Sequence, residues 1–501
     1  MKKVTILSMV LCAAMVLQTA LLPAAAVPVE VPQTVPVEET VPAETQSSFL
    51  KNTSALPFGQ LSIQQGCRTI EGMQPLGGAE RMLATAQAAM VYEEKTGTVI
   101  YSYNPDVKIA PGSLAKIVTA YLALEFCELD DEVKANSANI SRLPPGSKHK
   151  DMKHDEVMTV EDLVHCLLLE SANDAAIVLA EHISGNQQGF LVLMNDWVKS
   201  IGCKDTEFGN VHGLSNATSY TTARDLVRIT MEARKNPEFV RIFGTAKYTV
   251  PETNRSPERP LITNNYLIDQ AIIPQFFDTH VTGGKEHAEG TFASLVCTAT
   301  YDKMDLICVV LGATRVFAEN GWSVVSYGNF NEMNELLEHT SANYKVKRVL
   351  FDGQALSQFS VIDGESDVVG QPYINYDTVL PKTCQMDNLF MEWKVVGGGL
   401  TAPIKAGEMI ATVAVKYRNS YVAEAEIYAM NNVMSASEKN VSIRSTAVKN
   451  TGSGDDFLGF VGSFGVILAG GFGLYLLYNA YRRTRRRIQR RKRRASRRRS
   501  Y

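Results

Sequence analysis

The rhythm of apolar and polar positions changes several times along the chain, and each change marks an element. In "AAMVYEE" and "TVIYSYN", within residues 88–104, two short runs with strand character flank a Lys-Thr-Gly turn, which predicts a hairpin. Beyond it, "SLAKIVTAYLALEF", "TVEDLVHCLLLESANDAAIVLAEHIS" and "FLVLMNDWVKSIG" place apolar residues at i, i+3 and i+4, the period of helices that bury one face. The run "FASLVCTATYDKMDLICVVLGA" (292–313) is β-branched and apolar and breaks at "YDKMD", the pattern of a buried antiparallel hairpin. Strands, then helices, then strands predict a sheet covered by a helical layer, an α+β arrangement, over residues 75–345. From residue 346 to 437 the helical spacing fades. Short strand-like pieces such as "KRVLFDG", "FSVIDG" and "LFMEWKVVGG" are separated by Gly, Asp and Pro there, which predicts a small all-β domain.

The two ends read differently. Residues 1–26 carry two lysines, an apolar run and small residues at Ala24 and Ala26, the pattern of a secretory signal peptide. Residues 27–74 begin with a Pro-, Val- and Glu-rich stretch without periodicity, an extended spacer. Residues 438–456 form a polar linker, and 457–480 are uncharged, apolar and long enough to span a bilayer as a helix. The formal net charge of −3 conceals an asymmetry: 13 of the 50 Lys and Arg lie in residues 481–501, which hold no acid. The rest of the chain carries 37 basic against 53 acidic side chains, a balance of −16. Placed directly after an apolar span, such a tail is expected on the cytoplasmic side of a membrane, with the acidic body outside. That position makes a stop-transfer role more economical than a nucleic-acid-binding arm, so no nucleic acid is expected as a partner.

Cys12 lies in the signal. The other seven cysteines are scattered, mostly in apolar runs, and are odd in number, as expected of buried free thiols. Neither a CxxC nor a Cys/His pair at metal-binding spacing occurs, and no metal site is expected.

Two short motifs can do chemistry. In "APGSLAKIVTAYLALE", Ser113 and Lys116 stand at i and i+3, on one face of a helix. A serine hydroxyl becomes a good nucleophile when a neighbour takes its proton, and a lysine can do so when burial and nearby positive charge favour its neutral form. Pro111-Gly112 gives a tight entry that puts Ser113 at the helix N-terminus, where backbone N–H groups can stabilise an oxyanion. Alone, a Ser three residues before a Lys is also an ordinary helix cap with a surface lysine. The second motif, Ser171-Ala172-Asn173, sits between the apolar segments "LVHCLLLE" and "AAIVLAEHI", where buried polar side chains need partners.

With S-x-x-K followed by S-x-N inside this framework, the chain resembles the D-alanyl-D-alanine carboxypeptidases, the low-molecular-mass penicillin-binding proteins. "MVYEEKTGTVIYSYNPDVKIAPGSLAKIVTAYLALE", "SANDAAIVLAEHISG", "MNDWVKSIGCKDTEFGNVHGLSNATSYTTARDLVRI" and "PLITNNYLI" are similar to that family in order and spacing, over roughly residues 80–315. The resemblance implies a penicillin-binding-protein/β-lactamase-like transpeptidase domain, then a small β domain and a membrane anchor. It implies that Ser113 attacks the bond between the two terminal D-alanines of peptidoglycan stem peptides, with Lys116 as general base. Ser171 would relay the proton and Asn173 would position the substrate. It also implies β-lactam antibiotics as covalent inhibitors, and no cofactor.

The family's third motif is Lys-Thr-Gly on a strand edging the cleft, ahead of the 292–313 hairpin. Here the segment reads "THVTGGKEHAEG". One register sets Thr282-Gly283 on the box and puts Val281 where the lysine belongs. The preferred one keeps the cation as Lys285, with Glu286 and His287 replacing Thr and Gly. Glu286 would weaken the lysine's field at a carboxylate pocket, and His287 adds bulk where a glycine is usual. Pro-Gly-Ser also replaces the more usual Pro-Ala-Ser before Lys116. These departures leave a second expectation open: a catalytically impaired cell-wall-binding or scaffold protein on the same fold. A class A β-lactamase is disfavoured, because no ExxLN-like segment follows the second motif. The intact Lys95-Thr96-Gly97 precedes Ser113 and is expected to be a hairpin turn.

Overall fold

The structure is a computed structural model that describes residues 75–76, 82–136, 140–141, 143–418 and 420–437. The expected signal peptide, the spacer up to residue 74, the linker, the apolar span at 457–480 and the Arg-rich tail lie outside the described residues. Among the described residues, no helix is long and apolar enough to cross a membrane.

Strand β1 (Ala88–Glu93) is buried along its whole length and turns back into β2 (Thr98–Tyr103). Lys95-Thr96-Gly97 is the turn. Gly97 takes φ +69, Thr96 N–H donates to Glu93 Oε2 at 2.7 Å, and Lys95 Nζ pairs with Asp305 at 2.8 Å on the surface. Two small two-stranded ribbons follow before the main sheet resumes: β3 (Glu132–Lys134) with β4 (Val157–Thr159), and β5 (Lys247–Val250) with β6 (Arg259–Ile262). The main sheet is completed by β7 (Val281–Glu289), β8 (Phe292–Tyr301), β9 (Met304–Phe317) and β10 (Val324–Tyr327). Its antiparallel order is β2-β1-β9-β8-β7, with β10 on the far end of β9. The β8–β9 hairpin turns through Asp302 and Lys303, both at positive φ (+46 and +72), the two-residue turn whose twist suits a tight hairpin.

The period of two divides this sheet's side chains between two cores. Met90, Tyr92, Val296, Ile307 and Val309 face one hydrophobic cluster, and Ala89, Val91, Leu295, Cys308 and Val310 face another. Because both faces are covered, the strands are apolar without alternation. On the first face lie α1 (Lys116–Phe126), α2 (Val160–Leu169), α3 (Asn173–Ser184), α4 (Gln187–Ser200), α5 (Ala223–Ala233) and α6 (Pro237–Phe243). Their starts are written locally. Thr159 and Asp162 form a reciprocal capping box at α2, Asn186 accepts from Gly189 N at α4, and Asn236 with Pro237 opens α6. Helix α3 stops at Gly185, φ +74. The second face carries α7 (Gly328–Asn343) and the core of the C-terminal region.

That region is built from β11 (Tyr344–Leu350), β12 (Ser357–Phe359), β13 (Val361–Ile362), β14 (Val368–Gln371), β15 (Tyr376–Pro381), β16 (Leu389–Val395), β17 (Leu400–Thr401), β18 (Met409–Tyr417) and β19 (Ser420–Ala429). Its largest sheet runs β12-β14-β19-β18-β16, and β11 pairs with β15. Six of the cysteines fall on described residues. All six are free thiols, and all but the half-buried Cys127 are buried.

Candidate active site

Sheet order determines where chemistry can sit. Strand β7 is the edge of the main sheet, and it runs beside the turn Gly112–Ala115 that leads into α1. Ser113 lies in that 3₁₀ turn and is half-buried, so the α-helix proper begins one turn later than the sequence pattern suggests, at Lys116. Lys116 is fully buried. Its Nζ donates to Asn173 Oδ1 at 2.7 Å and to the carbonyl oxygen of His212. Burial, reinforced by the positive charges of Lys285 and Lys148, holds Lys116 well below the usual lysine range.

The second motif occupies the corner between α2 and α3. Ser171, 1% exposed, adopts φ +60, a conformation that costs a non-glycine residue of order 1 kcal/mol and persists only where surrounding structure enforces it. The enforcement is visible on both sides. Asn264 N–H donates to Leu169 O at 3.0 Å, and Asn173 N–H donates to Lys148 O at 2.9 Å. Asp174, fully buried, accepts from the backbone N–H groups of Lys150 and Met152 at 2.8 and 3.3 Å, pinning the segment around Lys148 over the start of α3. Burial raises the Asp174 pKa.

From β7, Lys285 Nζ reaches Ser171 Oγ as a hydrogen-bond donor. The lysine is 1% exposed, and burial brings it down to about 7, with Glu286 opposing and Lys148 assisting the shift. Gly284 gives the strand room: a Cβ there would lie 2.5 Å from Asn265 Nδ2 and 2.8 Å from Val296 O. Thr282, offered by the alternative register, is exposed, and its hydroxyl lies 2.8 Å from that of Thr298 on β8. Of the two candidates, Lys285 is the one that meets the Ser171 corner, and Thr282 is a cross-strand partner instead. Lys95-Thr96-Gly97 stays in the β1–β2 turn.

The arrangement therefore joins a serine, a buried low-pKa lysine one turn along, an amide and a hydroxyl from a second motif, and a second buried cation on a sheet edge. Chemically, such a set can supply the nucleophile, base, relay and anion holder that acyl transfer through a serine ester requires. A family model described as D-alanyl-D-alanine carboxypeptidase matches residues 78–315. Over those residues this chain is similar to the D-alanyl-D-alanine carboxypeptidases. Among its relatives, the D-alanyl-D-alanine carboxypeptidase DacA of Haemophilus influenzae is 28% identical over 397 residues, 77% of this chain and 94% of that protein. DacF of Bacillus subtilis is 25% identical, covering 70% and 86%. The crystal structure of penicillin binding protein 5 from Haemophilus influenzae superposes with a TM-score of 0.55 at 26% identity, over 71% of this chain and all of that one.

Within this carboxypeptidase framework the structure adds residues that sequence reasoning left without a role. The loop 210–214 reaches Lys116 through the His212 carbonyl and is fastened by Thr119 Oγ1 donating to Val211 O (2.7 Å) and by Asn210 Oδ1 accepting from Gly213 N–H (2.6 Å). A backbone acceptor leaves no trace in side-chain identity, though the "GNVHGL" turn signal was there to mark the loop. Lys148 Nζ stands 3.8 Å from Glu286 Oε2, and that buried oxygen accepts no hydrogen bond. Burial holds the His212 and His287 imidazoles at about 4, so both are neutral at pH 7. No cluster of His, Cys, Asp or Glu that could hold a metal occurs among the described residues.

Proposed function

We propose that the protein removes the terminal D-alanine from peptidoglycan stem peptides through an acyl-enzyme on Ser113. The observation that carries this is the pair of buried lysines: Lys116 held by Asn173 and the His212 carbonyl just after Ser113, and Lys285 held by Ser171. Neutral Lys116 accepts the Ser113 hydroxyl proton as Oγ bonds to the carbonyl carbon of the penultimate D-alanine. Backbone N–H groups at the Ser113 turn stabilise the oxyanion. The proton then passes by way of Ser171 to the departing amine as the C–N bond breaks, and free D-alanine leaves. Water adds to the ester with proton removal by the same base, and the trimmed peptide departs with Ser113 regenerated. Charged Lys285 faces the substrate's terminal carboxylate, and Asn173 orients the peptide. β-Lactams acylate the same serine.

The terminal segments fit this role. A cleaved signal at 1–26, a spacer at 27–74, a catalytic domain at 75–345, a β domain at 346–437, a linker at 438–456, a span at 457–480 and a cytoplasmic tail at 481–501 would hold the site outside the cell membrane. The test is release of D-alanine from a pentapeptide ending in D-Ala-D-Ala, read by coupled oxidation of the free amino acid. Release is expected, and a stem peptide ending in L-alanine should give none. A purified, folded protein that releases no D-alanine contradicts the proposal.

A second reading, a wall-binding scaffold, draws on Glu286, which replaces the family's threonine in the preferred register and has a buried carboxylate oxygen that accepts no hydrogen bond. Its negative charge opposes the substrate carboxylate at Lys285. Glu286→Thr is accordingly expected to raise kcat/KM for D-alanine release about tenfold, about 1.4 kcal/mol, the scale of one nearby charge in a partly screened site. A scaffold with no activity to improve would show no turnover in either form.

A further inference from the structure

We propose that His287 is a positioning residue for the nucleophile: its side chain fills the space beside Gly112 and holds the turn that carries Ser113. This rests on Ser113 being the acylated residue, as above. The observation is steric. A Cβ built on Gly112 would lie 2.1 Å from His287 Nε2, 2.2 Å from Cδ2 and 2.3 Å from Cε1, inside the imidazole ring. The ring therefore occupies the volume that any side chain at 112 would need. Gly112 takes φ +51, which suits glycine.

The other side of the same peptide is closed by Gly213. A Cβ there would lie 1.9 Å from Gly112 O, and Gly213 itself sits at φ +79. Beyond the ring, Glu289 Oε2 stands 3.8 Å from His287 Nε2, outside hydrogen-bond reach, and accepts from Ser215 Oγ. Gly112 is thus flanked by His287 on one side and by Gly213 on the other, and Gly213 directly follows the His212 carbonyl bound by Lys116. Two departures from the family pattern, Gly at 112 and His at 287, lie 175 positions apart and meet in one contact. The bulk that Ala would supply from the turn is supplied here from strand β7. A turn clamped from both sides holds Ser113 in register with Lys116, and a displacement of about 1 Å in such a site can cost about a hundredfold in rate.

The experiment is a double-mutant cycle of Gly112→Ala and His287→Gly, read by the acylation rate constant and noncovalent affinity for a fluorescent penicillin, with melting temperature recorded for every form. His287→Gly should lower the acylation rate constant about tenfold and change the noncovalent affinity by less than about threefold, since it loosens the nucleophile rather than the substrate pocket. Gly112→Ala alone should cost about a hundredfold, through the clash with the ring. In the His287→Gly background the same alanine should cost about tenfold less than in the wild type, since the ring is gone and only the strain of φ +51 remains, a coupling that independent sites do not show. The loss in His287→Gly should be the same at pH 6 and pH 9, because the group missing is a filler and not a proton carrier.

Equal costs of Gly112→Ala in the two backgrounds overturn the proposal. So does a His287→Gly form with wild-type acylation. If Gly112→Ala fails to fold, His287→Gly and the double variant still decide it: a folded, labelled double variant supports the clamp, and an unlabelled one overturns it. A wild-type protein that is never labelled sinks the catalytic reading itself, whatever the melting temperatures show.

Discussion

Replacing Ser113 by alanine should lower D-alanine release by about 10⁴-fold or more, and replacing Lys116 by methionine should cost nearly as much. The two side chains act as one unit. A serine without a base stays a neutral alcohol, and a base without the serine has no proton to take. The double variant should therefore be no worse than Ser113→Ala alone, a non-additivity that a merely structural Lys116 would not produce. Lys116 is fit for the role because burial and two neighbouring cations favour its neutral form, and because Asn173 Oδ1 and the His212 carbonyl fix its amine. The same burial makes its removal delicate. Methionine fills the space but leaves both acceptors without a donor, at about 1–3 kcal/mol each, so activity must be compared on protein shown to be folded. Full activity in folded Lys116→Met would remove the base from the mechanism.

Lys285→Met should lower kcat/KM for D-alanine release by about a hundredfold, a loss of about 2.7 kcal/mol, through loss of the cation proposed to face the terminal carboxylate. Its pH dependence gives a second signature. With a pKa of about 7 in the free enzyme, Lys285 loses its charge as pH rises through neutrality, so kcat/KM should fall on that side. In Lys285→Met that falling limb should vanish. Stability moves the other way. The folded pKa is depressed from the ordinary lysine value of 10.5, so between about pH 7 and 10 the unfolded chain binds more protons than the folded one. The lysine's cost to folding is therefore full below pH 7 and fades as pH rises toward 10. At pH 7, Lys285→Met should melt higher by about 2–4 °C, the equivalent of about 1 kcal/mol, with the gap closing toward pH 10. A melting temperature that falls, or a pH profile that keeps its limb, would mean that Lys285 is not the buried, low-pKa cation of this site.

These two experiments concern residues that were visible in sequence, and the reason is local. Ser113 with Lys116, and Ser171 with Asn173, are spaced by a helical turn or a tight corner, so neighbours in the chain are neighbours in space. The α+β order was legible because the helices are strongly periodic and the strands continuously apolar. Lys285 was harder. Nothing in "VTGGKEHAEG" distinguishes its strand position from that of Thr282 until the pairing Lys285 with Val296 sets the register. The deceptive Lys95-Thr96-Gly97 was resolved by its place in the chain, and the turn geometry agrees, with Gly97 at positive φ.

What stayed hidden depends on contacts across long sequence separation or on backbone atoms. Gly112 and His287 each read as a blemish in a motif, and their joint meaning is a collision that exists only in three dimensions. The His212 carbonyl serves Lys116 through a group that every residue possesses. Lys148 belongs to no motif in the sequence, and its place beside Glu286 goes with the backbone bond between Asn173 N–H and its own carbonyl. The site is therefore legible where chemistry is local and opaque where the fold composes it.

The central claim is that Ser113 forms the acyl-enzyme, and trapping tests it most directly. The full-length protein is incubated with a penicillin, digested, and the modified peptide sequenced by mass spectrometry. One covalent adduct per chain, on Ser113 and absent from Ser113→Ala, is the predicted result. A folded protein that carries no adduct, or carries it on another residue, would contradict the account.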